Sequence, residues 1–547
     1  MNTFFQTFLI FNLILFCWPL QLVNCPGHIN SVFLETNFQS EGTFLIYDMI
    51  TFLSSVIIDL GFIHWLKVLL FIIFSLIYFT KADLDNFSLR WFALFFSIIL
   101  FLFSMFILFN FDAFQFNFQF TYAIESKINL FNFSWFFEVD GISLFFILLT
   151  TFITPICLLV SWEIVAYLRF FIICFFLIEF FLLIAFTTTN LLIFFIAFES
   201  ILIPMFLIIG IWGTRFERVK AAYLFFLYTL VGSIFFLMNL IFLQSNFGTF
   251  DFTFLQFSEQ EVGFNSKIIL WLFFFLSFSV KIPMFPFHIW LPEAHVEAPT
   301  SGSIMLASLL LKLGGYGFLR FSIGFFPQTS NFFLPLIVVL CFIGITYSSL
   351  ITLRQLDLKR LIAYSSIAHM NYIVLGLFSF TYLGIVGSII LMLGHGIVSS
   401  ALFLLVGVLY DRHHVRLLSY YSGLVTVMPL FSLLFGFFTF TNMAFPGLAN
   451  FPGELLILAG LVESNFIIAL TSLFGLFLSA VYSVWLLNRL IFGSLKILYT
   501  TTFNDISRRE IYSILPLVFL TFLMGLVPNF FLETISFSTL YFLTRII

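Results

Sequence analysis

SFSVKIPMFPFHIWLPEAHVEAPTSGSIMLASLLLKLGGYGFLRF runs from Ser277 to Phe321 and decides how the rest of the chain is read. It holds two lysines, Lys281 and Lys312, each inside a long apolar stretch, and it is interrupted by Pro283, Pro286 and Pro292. A cation at the centre of a bilayer costs roughly 2.5–3.5 kcal/mol even on a lenient insertion scale. An apolar chain that keeps two such charges, with His288, Glu293, His295 and Glu297 between them, points to an ion or proton path. Helix breaks at that depth are tolerated only where protein or a water-filled cavity satisfies the freed backbone groups, as in transporters.

Working outward, the chain has 547 residues, 62% hydrophobic and 9% charged, where a soluble domain carries about 25% charge. Apolar runs near 3–24, 51–79, 90–111, 141–162, 169–187, 190–212, 221–245, 267–297, 300–325, 332–353, 361–379, 383–410, 421–463, 466–492 and 511–527 are long enough to span a hydrocarbon core. The chain therefore reads as an all-α polytopic membrane protein, without the dyad alternation of a transmembrane barrel. The runs 267–297 and 421–463 are too long for single spans, and the second is broken by PGLANFPG, Pro446 to Gly453. Lys81, Arg90, Arg215, Arg218, Lys220, Arg354, Lys359, Arg360, Arg412, Arg416, Arg489, Lys496, Arg508 and Arg509 fall in loops on one face, while the other face is neutral or acidic. That asymmetry satisfies the positive-inside rule.

Other features are blander. The 90 phenylalanines reflect nucleotide composition at lipid-facing positions that accept Phe as readily as Leu. The five cysteines form no C-x-x-C pair and read as packing residues. The first run lacks a positive n-region and a cleavage site, so it reads as a retained helix. A tail at 529–547 is apolar but short, either a partial span or an interfacial segment.

Inside the spans, Glu199 sits centrally in NLLIFFIAFESILIPMFLIIGIWG, just before Pro204. Lys281 stands two residues before the break at Pro283, where half-helix end and charge can be tuned together. Were the two about 4 Å apart at an effective dielectric near 20, they would interact by about 4 kcal/mol. Moving Glu199 would then switch Lys281 between holding and passing a proton. Lys312 is followed by Gly314, Gly315 and Gly317, which let a neighbour approach closely. His369 and His395 lie in apolar segments and can relay protons near neutral pH, and Glu454 follows the second break. Glu179 is equally central but reads as functional or merely packed, and Arg320 reads as an interface anchor. The spacing of His288, His295 and Glu297, with Pro292 between, is unlike a zinc-binding H-E-x-x-H helix. No P-loop, dinucleotide fingerprint or nucleophile triad is present, so the chain reads as carrying no redox chemistry of its own.

FESILIPMFLIIGIWG (Phe198–Gly213), the stretch around Lys281 to Phe321, DLKRLIAYSSIAHMNY (Asp357–Tyr372) and FPGELLILAG (Phe451–Gly460) resemble the chain 4 antiporter-like subunits of NADH:ubiquinone oxidoreductase, respiratory complex I. The resemblance covers residues 140–528, roughly seven-tenths of the chain. It implies about fourteen core transmembrane helices, with two inverted five-helix repeats near 169–297 and 361–463, each ending in a broken helix. It also implies a proton path through Glu199, Lys281, Lys312 and Glu454, with His369 and His395 as central relays. Flavin, iron–sulfur clusters and ubiquinone would belong to other subunits. The partners it implies are other membrane-arm subunits, including neighbouring antiporter-like chains, and lipids, with no nucleic acid. Residues 1–140 depart from the pattern, with a charged cluster at Asp59, His64 and Lys67 and one apolar segment beyond the family norm, read as an extra N-terminal helix. The Phe bias fits an organelle gene, hence the mitochondrial inner membrane rather than a bacterial plasma membrane. The alternative is a subunit of a multi-subunit cation/proton antiporter, which shares the fold.

Overall fold

The computed structural model of the protein describes residues 86–546, except 116–117, 127–132, 259–262 and 497–503. The expected segments 3–24 and 51–79, the extra N-terminal helix and the cluster of Asp59, His64 and Lys67 lie outside the described residues. Among the described residues, eleven helices are long and apolar enough to cross a membrane. Leu358–Leu377 and the interrupted pair Pro429–Asn442 and Asn450–Ser464 join them in the bundle. The expected total of fourteen reaches into the undescribed N-terminal segments.

Successive helices alternate in direction, and the polar residues at their ends say why they stop. Asp140 caps helix Gly141–Val160 in a reciprocal box with Ser143, and Asn190, Thr381 and Asn465 each accept from the first amides of the helix that follows. These four caps share one face. The basic stretches 213–220 and 411–420 lie at the opposite ends of two of these helices, and 354–360 joins Leu334–Arg354 to Leu358–Leu377. Lipid is as apolar as these side chains, so the helices associate through close packing and satisfied polar groups rather than hydrophobic burial. The apolar stretches of Thr300–Ile323 and Tyr382–His413 are wholly buried, whereas that of Arg508–Leu526 is only 28% buried. The axis of the bundle is therefore built from the helices that carry Lys312 and His395.

Both expected breaks are present. Phe264–Lys281 stops at Ile282, the chain turns through 282–289, and Trp290–Glu297 resumes. The Trp290 indole nitrogen donates to Val280 O at 2.9 Å, satisfying a carbonyl that the break frees. The second break runs between Asn442 and Asn450 and uses Gly447 at φ 86°, backbone that glycine adopts without strain.

Three features were not foreseen. Helix Thr300–Ile323 turns π-helical at Leu306–Leu310 and Phe318–Ile323, on either side of Lys312. A two-stranded antiparallel ribbon, β1 (Gln119–Ser126) and β2 (Phe133–Val139), adds the one sheet among the described residues. Its Phe137 bridges to Thr188 at the end of helix Leu168–Thr187. The C-terminal tail is a helix, Asn529–Ile546. Its Phe531 packs on Phe145 and its Phe542 lies near Gly324, both close to helix ends on the capped face, so this helix runs along that face.

Candidate functional site

The site is assembled where the two breaks meet the enclosed helices. Lys281 is 4% exposed, and its ammonium lies 4.2 Å over the Phe198 ring. A cation over an aromatic face is held without being neutralised. Its electrostatic partner is Glu199, the next residue after Phe198, in the last turn of Leu191–Ser200 before the chain bends at Ile201. Glu199 is half-buried and hydrogen-bonded to Ser233, while its Oε1 has no partner.

The break then touches the helix of Lys312. A Cβ on Gly314 would stand 2.6 Å from Ile282 Cγ1, 2.9 Å from the Ile282 nitrogen and 3.2 Å from Lys281 Cβ. Only glycine permits that approach. Asn371, from helix Leu358–Leu377, reaches the same break through Pro283 O at 3.5 Å.

Lys312 is fully buried. Its Nζ donates to Ala307 O at 2.5 Å, within the first π-helical stretch, and lies 2.9 Å from His395 Nδ1. A π-bulge frees a carbonyl from the regular ladder, and here that carbonyl takes the lysine. The rings of His395 and His369 are 5.6 Å apart between centroids. His369 Nδ1 lies 3.4 Å from Glu454 Oε1, which is ion-pair distance, yet Oε1 makes no hydrogen bond. His369 Nε2 lies 3.4 Å from the Tyr482 hydroxyl, and the Tyr372 hydroxyl donates to Glu454 O at 3.4 Å.

Lys312, His395, His369 and Glu454 thus follow one another in a buried series through the enclosed helices, and Lys281, with half-buried Glu199 as its electrostatic partner, adjoins the helix of Lys312 where Gly314 meets the first break. Two others stand elsewhere. Glu179 is fully buried and accepts from Thr154 at 3.3 Å, with no contact to the six. Arg320 is not an interface anchor: it is 7% exposed and paired with Asp140. Snorkelling was the wrong expectation because a carboxylate 180 residues away was waiting for it.

Three residues named in the sequence stand in other surroundings than it indicated. Lys359 and Arg416, counted as loop cations, are 0% and 1% exposed. They hold the end of the first broken helix, Lys359 through Ala298 O at 2.9 Å and Arg416 through Val296 O, with Glu297 3.8 Å from the guanidinium. Cations suit the carbonyl-rich end of a helix. His295 is fully buried, stacked 4.6 Å from Phe403, and neither ring nitrogen has a partner. Its electrostatic neighbours are Lys359 and Lys312, so it stands between the basic face and the line. The sequence placed it only among the groups between the two lysines, in a segment interrupted by Pro283, Pro286 and Pro292.

With this geometry in hand, the comparisons with known proteins are specific. Residues 188–480 match the model of the NADH:quinone oxidoreductase/Mrp antiporter transmembrane family. The chain is 51% identical over 461 residues to NADH-ubiquinone oxidoreductase chain 4 of Chondrus crispus, covering 84% of this chain and 92% of that one. The chain belongs to this family. The chain 4 of Marchantia polymorpha is 50% identical over 446 residues, 81% of this chain and 89% of its own. A chain of the respiratory complex I of Thermus thermophilus with bound NADH superposes with a TM-score of 0.77 at 26% identity, over 88% of this chain and 99% of that chain. The family match spans all six residues, from before Glu199 to beyond Glu454.

Proposed function

We propose that this chain is a proton-translocating membrane-arm subunit of respiratory complex I, in the mitochondrial inner membrane, coupling electron transfer from NADH to ubiquinone elsewhere in the complex to proton movement here. The observation that carries this reading is the buried series Lys312–His395–His369–Glu454, with Lys281 and Glu199 at the first break beside it, in a chain about half identical to complex I chain 4 proteins. Such groups in lipid are kept for charge transfer rather than stability.

In this reading Lys281 is the entry switch. Glu199 sits at the bundle surface where an adjoining subunit can shift it, and its approach or withdrawal changes the field at Lys281. A proton leaving Lys281 passes to Lys312, then through His395 and His369 towards Glu454, each group accepting as the previous one donates. The histidines suit the middle of the route because each carries two nitrogens, one to receive and one to release. Moving one charge through 100 mV takes about 2.3 kcal/mol, supplied by the redox step. Flavin, iron–sulfur clusters and ubiquinone belong, in this reading, to other subunits, and neighbouring antiporter-like chains flank this one. The identity to chain 4 proteins favours this over the free-standing cation/proton antiporter.

The test is Lys281→Met in the assembled complex. Redox cofactors and subunit composition should be retained while proton pumping and coupled NADH oxidation fall at least tenfold. Full pumping by that variant removes Lys281 from the mechanism and the reading with it.

A further inference from the structure

A second polar cluster lies off the line, on the capped face, and nothing above uses it. Arg320 ends the helix of Lys312, where Lys312, Tyr316 and Arg320 follow one another at single-turn spacing, about 12 Å from first to last. The guanidinium pairs with Asp140 and donates from Nε to the Tyr316 hydroxyl at 3.3 Å. The other Asp140 oxygen accepts from Ser143 N at 2.9 Å. Two residues before Asp140, at the end of β2, stands Glu138. Resting on the proton-pumping reading, we propose that Glu138 is the residue from which a translocated proton leaves the chain on the face opposite the basic loops.

Three observations support it. The first is charge. Asp140, Asp251 and the Arg320 guanidinium all act on Glu138, so around it two carboxyl groups stand against one cation, and that cation is paired with Asp140. Asp140 holds Arg320 directly, which leaves Glu138 as the group that takes up or gives back a proton. Burial, and then the nearby Asp140 and Asp251, raise the Glu138 carboxyl to about 7 against the opposing pull of Arg320, so both of its forms are populated near neutrality.

The second is space with unpaired polar atoms around it. Glu138 Oε2 and Thr188 Oγ1 are buried without partners, and Thr188 is only 6% exposed. Both residues line a cavity of about 10 Å³ shared with Ser143, Tyr316 and Arg320. A second cavity of about 20 Å³ is also lined by Arg320, together with Asp140 and Ser538. Each is about the size of one water, and orphaned polar atoms around such a space are what an ordered water satisfies. A purely structural Arg320–Asp140 fastening would need neither Glu138 nor this space.

The third is position. The Phe137–Thr188 bridge and the Thr189 amide bonded to Phe136 O at 3.4 Å fix β2 to the end of helix Leu168–Thr187, on the acidic side of the bundle. The proton balance is simple. The Glu138 carboxyl releases its proton to cavity water and thence to bulk. Its carboxylate is recharged by a proton that branches at Lys312, before the histidines, towards Tyr316 one turn on, so this outlet stands beside the route towards Glu454, and Arg320 stays charged throughout.

The experiment uses the whole complex in liposomes with the capped face outward. Glu138→Gln should lower protons pumped per NADH. It should also abolish the dependence of pumping on outer pH between about 6 and 8, over which the ionised fraction of a group titrating near 7 changes about tenfold. Glu138→Asp should restore both. A Glu138→Gln complex with native pumping and an unchanged pH profile overturns the assignment. Because that variant could fail to assemble, the native complex is also treated from outside with a water-soluble carbodiimide, which attacks protonated carboxyls. Modification of Glu138, relative to the exposed Glu533 on the same face, should be several-fold greater at about pH 6 than at about pH 8. Equal or absent modification overturns the assignment too. If Lys281→Met stops pumping while Glu138→Gln does not, only the outlet falls; if Lys281→Met pumps normally, the underlying reading fails.

Discussion

Gly314→Ala adds one methyl where the first broken helix crosses the helix of Lys312. The new Cβ would lie 2.9 Å from the Ile282 backbone nitrogen and 2.6 Å from its Cγ1. Ordinary contacts between non-bonded atoms are about 3.5–4.0 Å, so the break and the helix must part by roughly 0.6–1 Å. The Ile282 side chain can rotate, but the backbone nitrogen cannot, and Lys281 is its covalent neighbour. Alanine is the better helix former by about 0.8–1.0 kcal/mol, and this partly offsets an overpacking cost of about 1–3 kcal/mol. Stability should change little. Geometry should not escape, because the displaced residue carries the entry ammonium, and misplacing a reacting group by about 1 Å can cost on the order of 100-fold in rate.

The assay is proton uptake coupled to NADH oxidation in reconstituted complex, scored against the amount assembled. Gly314→Ala should assemble near native levels and lose at least tenfold in pumping. Gly315→Ala is the matched control. Its methyl would meet chiefly the Met392 sulfur, at 2.5 Å, the flexible part of a side chain that can swing aside, so pumping should stay within about threefold of native. If Gly314→Ala pumps normally, or if both variants fail alike, the close approach of the break to Lys312 is not what sets the transfer geometry.

Arg416→Ala should leave Glu297 and the Val296 carbonyl without their cation inside the bundle, costing about 1–3 kcal/mol and raising amide exchange at residues 290–297. Unchanged exchange there would show that the clamp is idle. Tyr482→Phe removes a hydroxyl only 3.4 Å from His369 Nε2, so it should cost less than about 1 kcal/mol and leave pumping within about fivefold; a collapse of pumping would make the tyrosine part of the transfer itself. Glu138 gives a pH dependence with a definite sign. Its folded value of about 7 lies above the ordinary 4.5, so the folded ribbon holds a proton that the unfolded chain releases, and stability present at low pH is lost as pH rises towards 7. Amide exchange at residues 133–139, corrected for its intrinsic rate, should quicken from about pH 5 to about pH 7 and level off above, and Glu138→Gln should flatten it.

What the sequence disclosed, and what it withheld, divides along a physical line. Lys281, Lys312, Glu199 and Glu454 were legible one by one because lipid makes each charge costly wherever its partner is, and prolines announce a break without reference to the rest of the fold. Partners are another matter. Arg320 stands near a helix end, where a long cation usually reaches for the interface, and nothing local marks Asp140, 180 residues earlier, as its counter-ion. Lys359 and Arg416 fall in stretches that read as loops and obey the positive-inside rule, so their charge had a sufficient explanation before their burial was known. The π-helical stretches around Lys312 change a hydrogen-bond register without changing the apolar pattern, and the pattern was all that could be read. The same reasoning bears on the transfer line. Each of its members is costly alone, but Lys312 with His395, and His369 with Glu454, are held within 2.9 and 3.4 Å by helices that only the fold brings together. Selection on a charge in the membrane can therefore act through the backbone that positions it, and Gly314 is where that constraint falls on a residue with no charge at all.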